Sequence, residues 1–255
     1  MLRRFTTAVT AILLTAGVAR AQGNEANRFS REGIIAARAK DWNKAVDSFR
    51  RAVQADPNNK GSIDNLAIAL VQRASAELNS KNVDAAINDL NESLKVKADD
   101  NLPAHRSRAY AFLLKNDWNN ALGDYDVVVS EAKDDPEVHE RRAYIFMQLR
   151  QFDKAIQDYS ESIRLKPNDA RFYELRAYAY QTMGNNKAAL DDTNKVLQFD
   201  SNNAAAQQRK HYLEAKLNPG PTPVITPSGP IANPNARPAT SPGVQSPIPR
   251  PTQGP

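Results

Sequence analysis

Arg108-Ala109-Tyr110, Arg142-Ala143-Tyr144 and Arg176-Ala177-Tyr178 are the same tripeptide, set at intervals of 34 residues. Ala121, Ala155 and Ala189 keep the same interval. A repeat of this length marks an array of small stacked units, each too small to bury an apolar face alone. Such arrays present long binding surfaces and seldom carry an active site.

Outward from the tripeptides the pattern holds on both sides. The stretch 26–59 contains Phe29, Gly33, Trp42, Ala45, Phe49, Ala52 and Pro57. The stretch 102–135 contains Ala109, Phe112, Trp118, Ala121 and Tyr125. In 136–169 stand Ala143, Phe146, Phe152, Ala155, Tyr159, Ser162 and Pro167, and in 170–203 Tyr173, Ala177, Tyr180 and Ala189. Asp200-Ser201-Asn202-Asn203 echoes Asp56-Pro57-Asn58-Asn59. These residues resemble the tetratricopeptide repeat, a pair of antiparallel helices per unit. The resemblance implies an all-α fold, an α-solenoid of about five hairpins: 26–59, 60–100, 102–135, 136–169 and 170–203. It covers 26–217. Its small residues belong where two helices cross, and its aromatics between neighbouring hairpins. Thr193, Val128, Lys133, Ala98 and Ser201 depart from the pattern and loosen single turns. The stretch 204–217 forms helix readily but has few apolar residues, as expected of a solvating cap.

The unit 60–100 is irregular. Ile63, Leu66, Ala67 and Leu70 open it and Ala86, Leu90 and Ser93 close it, which places seven extra residues between Ala74 and Asn82. Seven residues are about two helical turns, so a hairpin lengthened there projects roughly 10 Å. Such a projection is either a longer connection without a role or an added contact edge.

The two ends differ from the middle. Residues 1–21 combine a basic head at Arg3 and Arg4, an uncharged stretch from Phe5 to Val18, and Ala19-Arg20-Ala21. This is the pattern of a cleaved secretory signal, with a mature chain from Gln22. The expected location is therefore outside the cytoplasm, periplasmic or secreted. Residues 218–255 hold 12 of the 16 prolines, with no acid, lysine or aromatic. Such a composition cannot bury a core, and a disordered, partly polyproline tail is expected. The formal charge of +5 rests on Arg3, Arg4, Arg20, Arg237 and Arg250, which leaves 22–217 neutral. The basic balance thus gives no case for nucleic acid. The chain has no cysteine and therefore no disulfide.

Arginine at the seventh position of a unit accompanies aspartate at the twenty-third: Arg108 with Asp124, Arg142 with Asp158, Arg176 with Asp192. The first unit has Glu32 and Ser48 instead, and the second has Asp89 but Leu66. A repeated salt bridge between the two helices of a hairpin is expected, fixing register more than stability. The tyrosines Tyr110, Tyr144 and Tyr178 occupy the ninth position, which the resemblance assigns to a concave groove. They either line that groove for an extended peptide or pack against the next helix. Arg106, Glu140 and Glu174 share the same surface, joined by Arg141 and Arg171. The clamp that some relatives build for chaperone C-termini does not carry over, because both of its asparagines and its last basic residue are missing. His105 and His139 lie one unit apart with no third ligand at a recognisable spacing, so no metal is expected. No Gly-x-Ser-x-Gly, phosphate loop, His-Glu-x-x-His or nucleophilic cysteine is present.

The sequence thus points to a non-enzymatic scaffold or adaptor without cofactor. It would bind a protein or peptide partner in the groove, in cell-envelope assembly or secretion. Two alternatives stand beside this. The proline-rich tail is the binding element and tethers the chain, or the chain is a regulatory subunit of an envelope enzyme.

Overall fold

A computed structural model describes residues 23–98 and 101–219. The expected signal, Asp99-Asp100 and the tail from 220 onward lie outside the described residues. Two compact units divide the chain, Met1–Leu165 and Lys166–Pro255. All regular structure among the described residues is helical.

Among the described residues the first unit holds eight helices. Helix α1 runs over 23–38. It is followed by α2 (Trp42–Ala55), α3 (Lys60–Asn79), α4 (Val83–Val96), α5 (Leu102–Leu114), α6 (Trp118–Glu131), α7 (Pro136–Gln148) and α8 (Phe152–Leu165). Consecutive helices pack on each other as antiparallel hairpins. Apolar residues three and four apart bury one stripe of each helix, as Ala45, Phe49 and Ala52 do in α2. Where the two helices of a hairpin cross, Ala109, Ala121, Ala143 and Ala155 are wholly buried. At Gly33 the approach is too close for a side chain: a β-carbon there would lie 2.7 Å from the Phe49 ring.

The second unit holds α9 (Ala170–Thr182), α10 (Asn186–Phe199) and α11 (Ala204–Leu217). Ala177 and Ala189 are fully buried at the α9–α10 crossing. On α11 only Ala206 and Leu213 are buried. Gln207, His211 and Glu214 face water, on the side that a further second helix would cover. The helix therefore closes the apolar face before it with two residues and offers a polar one beyond.

Every hairpin turns in the same way. Lys40, Lys81, Asn116, Arg150 and Gly184 all take positive φ, between 57° and 81°. The next amide then bonds back to the first helix, as from Asp117 to Phe112 at 2.9 Å and from Gln151 to Phe146 at 2.8 Å. This is a Schellman closure, which favours glycine at the left-handed residue. Only Gly184 meets that preference. Lys81→Gly should accordingly raise stability by about 1 kcal/mol, read as a higher urea midpoint at unchanged slope. Aspartate or asparagine then caps most of the helices that follow. Asp41 accepts from the Lys44 amide at 3.0 Å and Asn185 from Ala188 at 3.2 Å. The two matching turns are alike in detail. Asp56 and Asp200 each accept from the amide two residues on, at 3.1 and 3.0 Å. Asn59 and Asn203 then cap α3 and α11.

The irregular second hairpin departs from expectation. Its connection, Ser80 to Asn82, is as short as the others, with Lys81 as the left-handed residue. The extra residues lengthen α3 instead, to 20 residues against 13 in α5 and α7. They sit at its N-terminal end, over 60–66, and not between Ala74 and Asn82. Ala74 is the crossing residue, buried with Ala86, Leu90 and Ala104. The first hairpin packs two turns earlier, through Phe49, Leu66, Ala69 and Leu70. Ala76 is consequently exposed, whereas Ala111 and Ile145 at the same register are fully buried. Because seven residues span close to two turns, the apolar stripe continues unbroken, and periodicity alone gives no sign of where they entered.

Ion pairs brace this offset. Arg50 on α2 donates two 2.9 Å hydrogen bonds to Glu92 on α4, and Lys97 reaches Asp64 on the extension at 2.7 Å. The Arg50 hydrogen bond holds the Glu92 carboxyl below its ordinary range against the opposing effect of burial. A lowered carboxylate adds stability above its unfolded value and loses it as pH falls through the folded one. The difference in melting temperature between the native chain and Arg50→Gln should therefore be full at neutral pH and shrink below about pH 4.

Candidate functional site

The arginines of the repeated tripeptides are committed to the scaffold. Arg108 donates to both oxygens of Asp124 at 2.9 and 2.7 Å. Arg142 holds Asp158 at 2.8 and 2.8 Å, and Arg176 holds Asp192 at 2.8 and 2.8 Å. These two-pronged bonds join the helices of one hairpin, and the three aspartates are buried. The same guanidinium also reaches the preceding hairpin. Arg108 bonds Asn91 at 2.8 Å and Arg142 bonds Asp126 at 3.0 Å. Each arginine further lies over the ring four residues on, at 6.0 Å for Phe112 and 5.7 Å for Phe146. The aspartate hydrogen bonds raise the Arg142 and Arg176 guanidiniums above their usual range, against burial.

A fourth pair of the same kind lies in the second hairpin. Arg73 donates to Asp89 at 2.7 and 2.6 Å. Leu66, the residue expected opposite Asp89 from the seventh position of 60–100, is not its partner. Counting back from Asp89 by the 16 residues that separate Arg108 from Asp124 leads directly to Arg73.

The two histidines lean on the same carboxylates. His105 bonds Asp124 at 2.7 Å. His139 bonds the Lys133 carbonyl at 2.7 Å and lies 3.6 Å from Asp158. Both therefore sit inside their hairpins beside the arginine–aspartate pairs.

In the first unit Tyr110 and Tyr144 are half-buried. Tyr144 stands edge-on to Trp118 of α6, with ring centroids 6.1 Å apart and planes at 75°. Burial pushes its phenol up. The ring is thus braced by the preceding helix rather than the next one, and it stays partly exposed. The charges beside it are largely engaged. Arg106 donates to Asp135, the cap of α7, at 2.8 Å. Burial raises the Asp135 carboxyl, but the Arg106 and Glu137 hydrogen bonds bring it below its usual range. Arg141 turns to the buried Tyr125, whose phenol is raised by burial despite that contact. Glu140, one turn before Tyr144, is half-buried. Apolar side chains stay open on α1, α3 and α5: Ile34 is 38% exposed, Ile68 59% and Leu114 47%.

In the second unit Tyr178 is half-buried one turn after Glu174 on α9. Arg209 of α11 comes to 3.9 Å from Glu174. Burial lowers the Arg209 guanidinium, and its Nη1 is buried without a hydrogen-bond partner. Arg171 lies over Phe172 at 4.8 Å. A fourth tyrosine, Tyr212, follows Tyr178 by the same 34 residues and is 47% exposed. The 34-residue interval alone leads to Tyr212, on the helix expected from sequence only as a cap.

Comparison with known proteins agrees with this geometry. A family model described as TPR repeat matches residues 143–184, and one described as Tetratricopeptide repeat matches 170–203. No curated protein matches the sequence. Among solved structures, the chain is similar to the MamA protein, with TM-score 0.54 at 18% identity over 72% of this chain and 96% of that one. It is also similar to a tetratricopeptide repeat protein from Parabacteroides merdae, with TM-score 0.57 at 15% identity over 77% and 75% of the two chains. A third is YrrB, titled a TPR protein with an unusual peptide-binding site, with TM-score 0.56 at 12% identity over 72% and 90%. At these identities the likeness is one of fold. The fold is all-α, of the tetratricopeptide solenoid kind. No helix among the described residues is long and apolar enough to cross a membrane.

Proposed function

We propose that the chain is an exported scaffold that holds a segment of a partner protein against the face carrying Tyr110 and Tyr144. The observation that carries this reading is the state of Tyr144. Its ring is braced by Trp118, so little side-chain freedom is lost on binding. Half-buried tyrosines, with Leu114 open one turn beyond Tyr110, supply contact area with a polar tip. The arginines nearby are already bonded within the fold, so the charges set register and leave affinity to the aromatic strip. The partner is an extended or helical protein segment. Export rests on the residues at 1–21, and the proposed setting is the periplasm, in envelope assembly or secretion, without catalysis by this chain.

A photoreactive residue placed at 144 in living cells tests the proposal, with exposed Gln157 on α8 as the control site. A defined partner captured from 144 and not from 157 is the expected result. Capture from neither site, or equally from both, refutes the assignment of the face.

A further inference from the structure

We propose that the proline-rich C-terminal segment of this same chain docks on the face of the second unit formed by Glu174, Tyr178, Arg209 and Tyr212. The inference rests on the reading of the repeated tyrosines as contact surface and names the occupant of two of them.

The segment carries one pentapeptide twice. Pro234-Asn235-Ala236-Arg237-Pro238 and Pro247-Ile248-Pro249-Arg250-Pro251 share the pattern Pro-x-x-Arg-Pro, and they contain the only two arginines after residue 217. Proline favours the polyproline II helix, which has three residues per turn. In such a helix the first proline and the arginine of each pentapeptide would fall on one edge. A surface that reads this edge needs an aromatic ring for the proline and a carboxylate one step away for the arginine.

The second unit has both. Tyr178 and Glu174 are one turn apart on α9, and Tyr212 adds a ring from α11. Glu174 is held only loosely, by Arg209 at 3.9 Å, beyond hydrogen-bond length. Its carboxylate is therefore available to a two-pronged arginine contact. The backbone of a proline-rich segment is poor in N–H donors and leaves its carbonyls unpaired. The face meets that need with donors, namely the phenols of half-buried Tyr178 and exposed Tyr212.

Chain length fits the same occupant. Helix α11 ends at Leu217, and sixteen residues, 218–233, precede the first pentapeptide. At about 3.1 Å per residue these span some 50 Å, enough to turn back over one or two helices. A short tether also gives the segment a local concentration in the millimolar range, so a weak motif suffices.

The chain has no cysteine, so Ala236→Cys places a single spin label in the full-length protein. Paramagnetic attenuation of the Tyr178 and Tyr212 amides is the expected result. It should be lost in Glu174→Arg and return when Arg237→Glu and Arg250→Glu are added. Loss in Tyr178→Ala with Tyr212→Ala provides a second arm. Absence of attenuation overturns the proposal, as does attenuation indifferent to these substitutions. So does attenuation seen only on an unlabelled copy mixed with a labelled one, which assigns the face to a second molecule. Capture from position 144, in the other unit, is scored in the same chain. Capture that persists without attenuation defeats the tail proposal alone, and loss of both defeats the contact-surface reading with it.

Discussion

Arg142→Leu is expected to destabilise the first unit by about 3 kcal/mol, far more than an exposed ion pair contributes. The reason is what the substitution leaves behind. Asp158 is 6% exposed and takes both of its arginine bonds from Arg142. Removing the arginine leaves a buried carboxylate without its cation, and His139 at 3.6 Å is too far to replace it. The same substitution severs the bond to Asp126 on the preceding hairpin. Replacing both partners, as in Arg142→Leu with Asp158→Leu, removes the orphaned charge and should recover most of the loss. Chemical denaturation of the two variants measures this directly. A double variant as unstable as the single one would mean that the pair supplies stability in its own right rather than fixing register.

Tyr144→Ala should weaken binding of the partner segment at least tenfold while leaving the fold intact. Aromatic residues braced in a desolvated setting dominate interfaces, at about 2 kcal/mol or more each. Tyr144 is the tyrosine with the firmest support, through Trp118. Tyr144→Phe keeps the ring contact and loses only the phenol, so it should fall between the native chain and Tyr144→Ala. Calorimetric titration with the captured segment checks the order of the three.

The tripeptide period carried most of this architecture into view from sequence. The crossing alanines are legible because only a small side chain lets two helices meet there, and Ala109, Ala143 and Ala177 are fully buried. The arginine–aspartate pairs are legible because two charges recur at a constant separation. The extension at 60–66 was not, because an insertion of about two turns leaves helical phase unchanged. Its position follows only when Arg73 is matched to Asp89. The turns were legible as turns, but not their left-handed lysines and arginine at Lys40, Lys81 and Arg150, since nothing in those side chains announces positive φ. The candidate site divides in the same way. The tyrosines could be found by interval. That Arg141 turns to Tyr125 depends on packing between hairpins, which no single unit encodes.

The most direct test of the account is the affinity of the captured partner segment for two altered chains. One carries Tyr110→Ala with Tyr144→Ala, and the other lacks 218–255. The account predicts that the first loses binding and the second does not weaken. Binding that survives the tyrosine substitutions and vanishes with the tail would contradict it, and would make the repeats a spacer for the proline-rich segment.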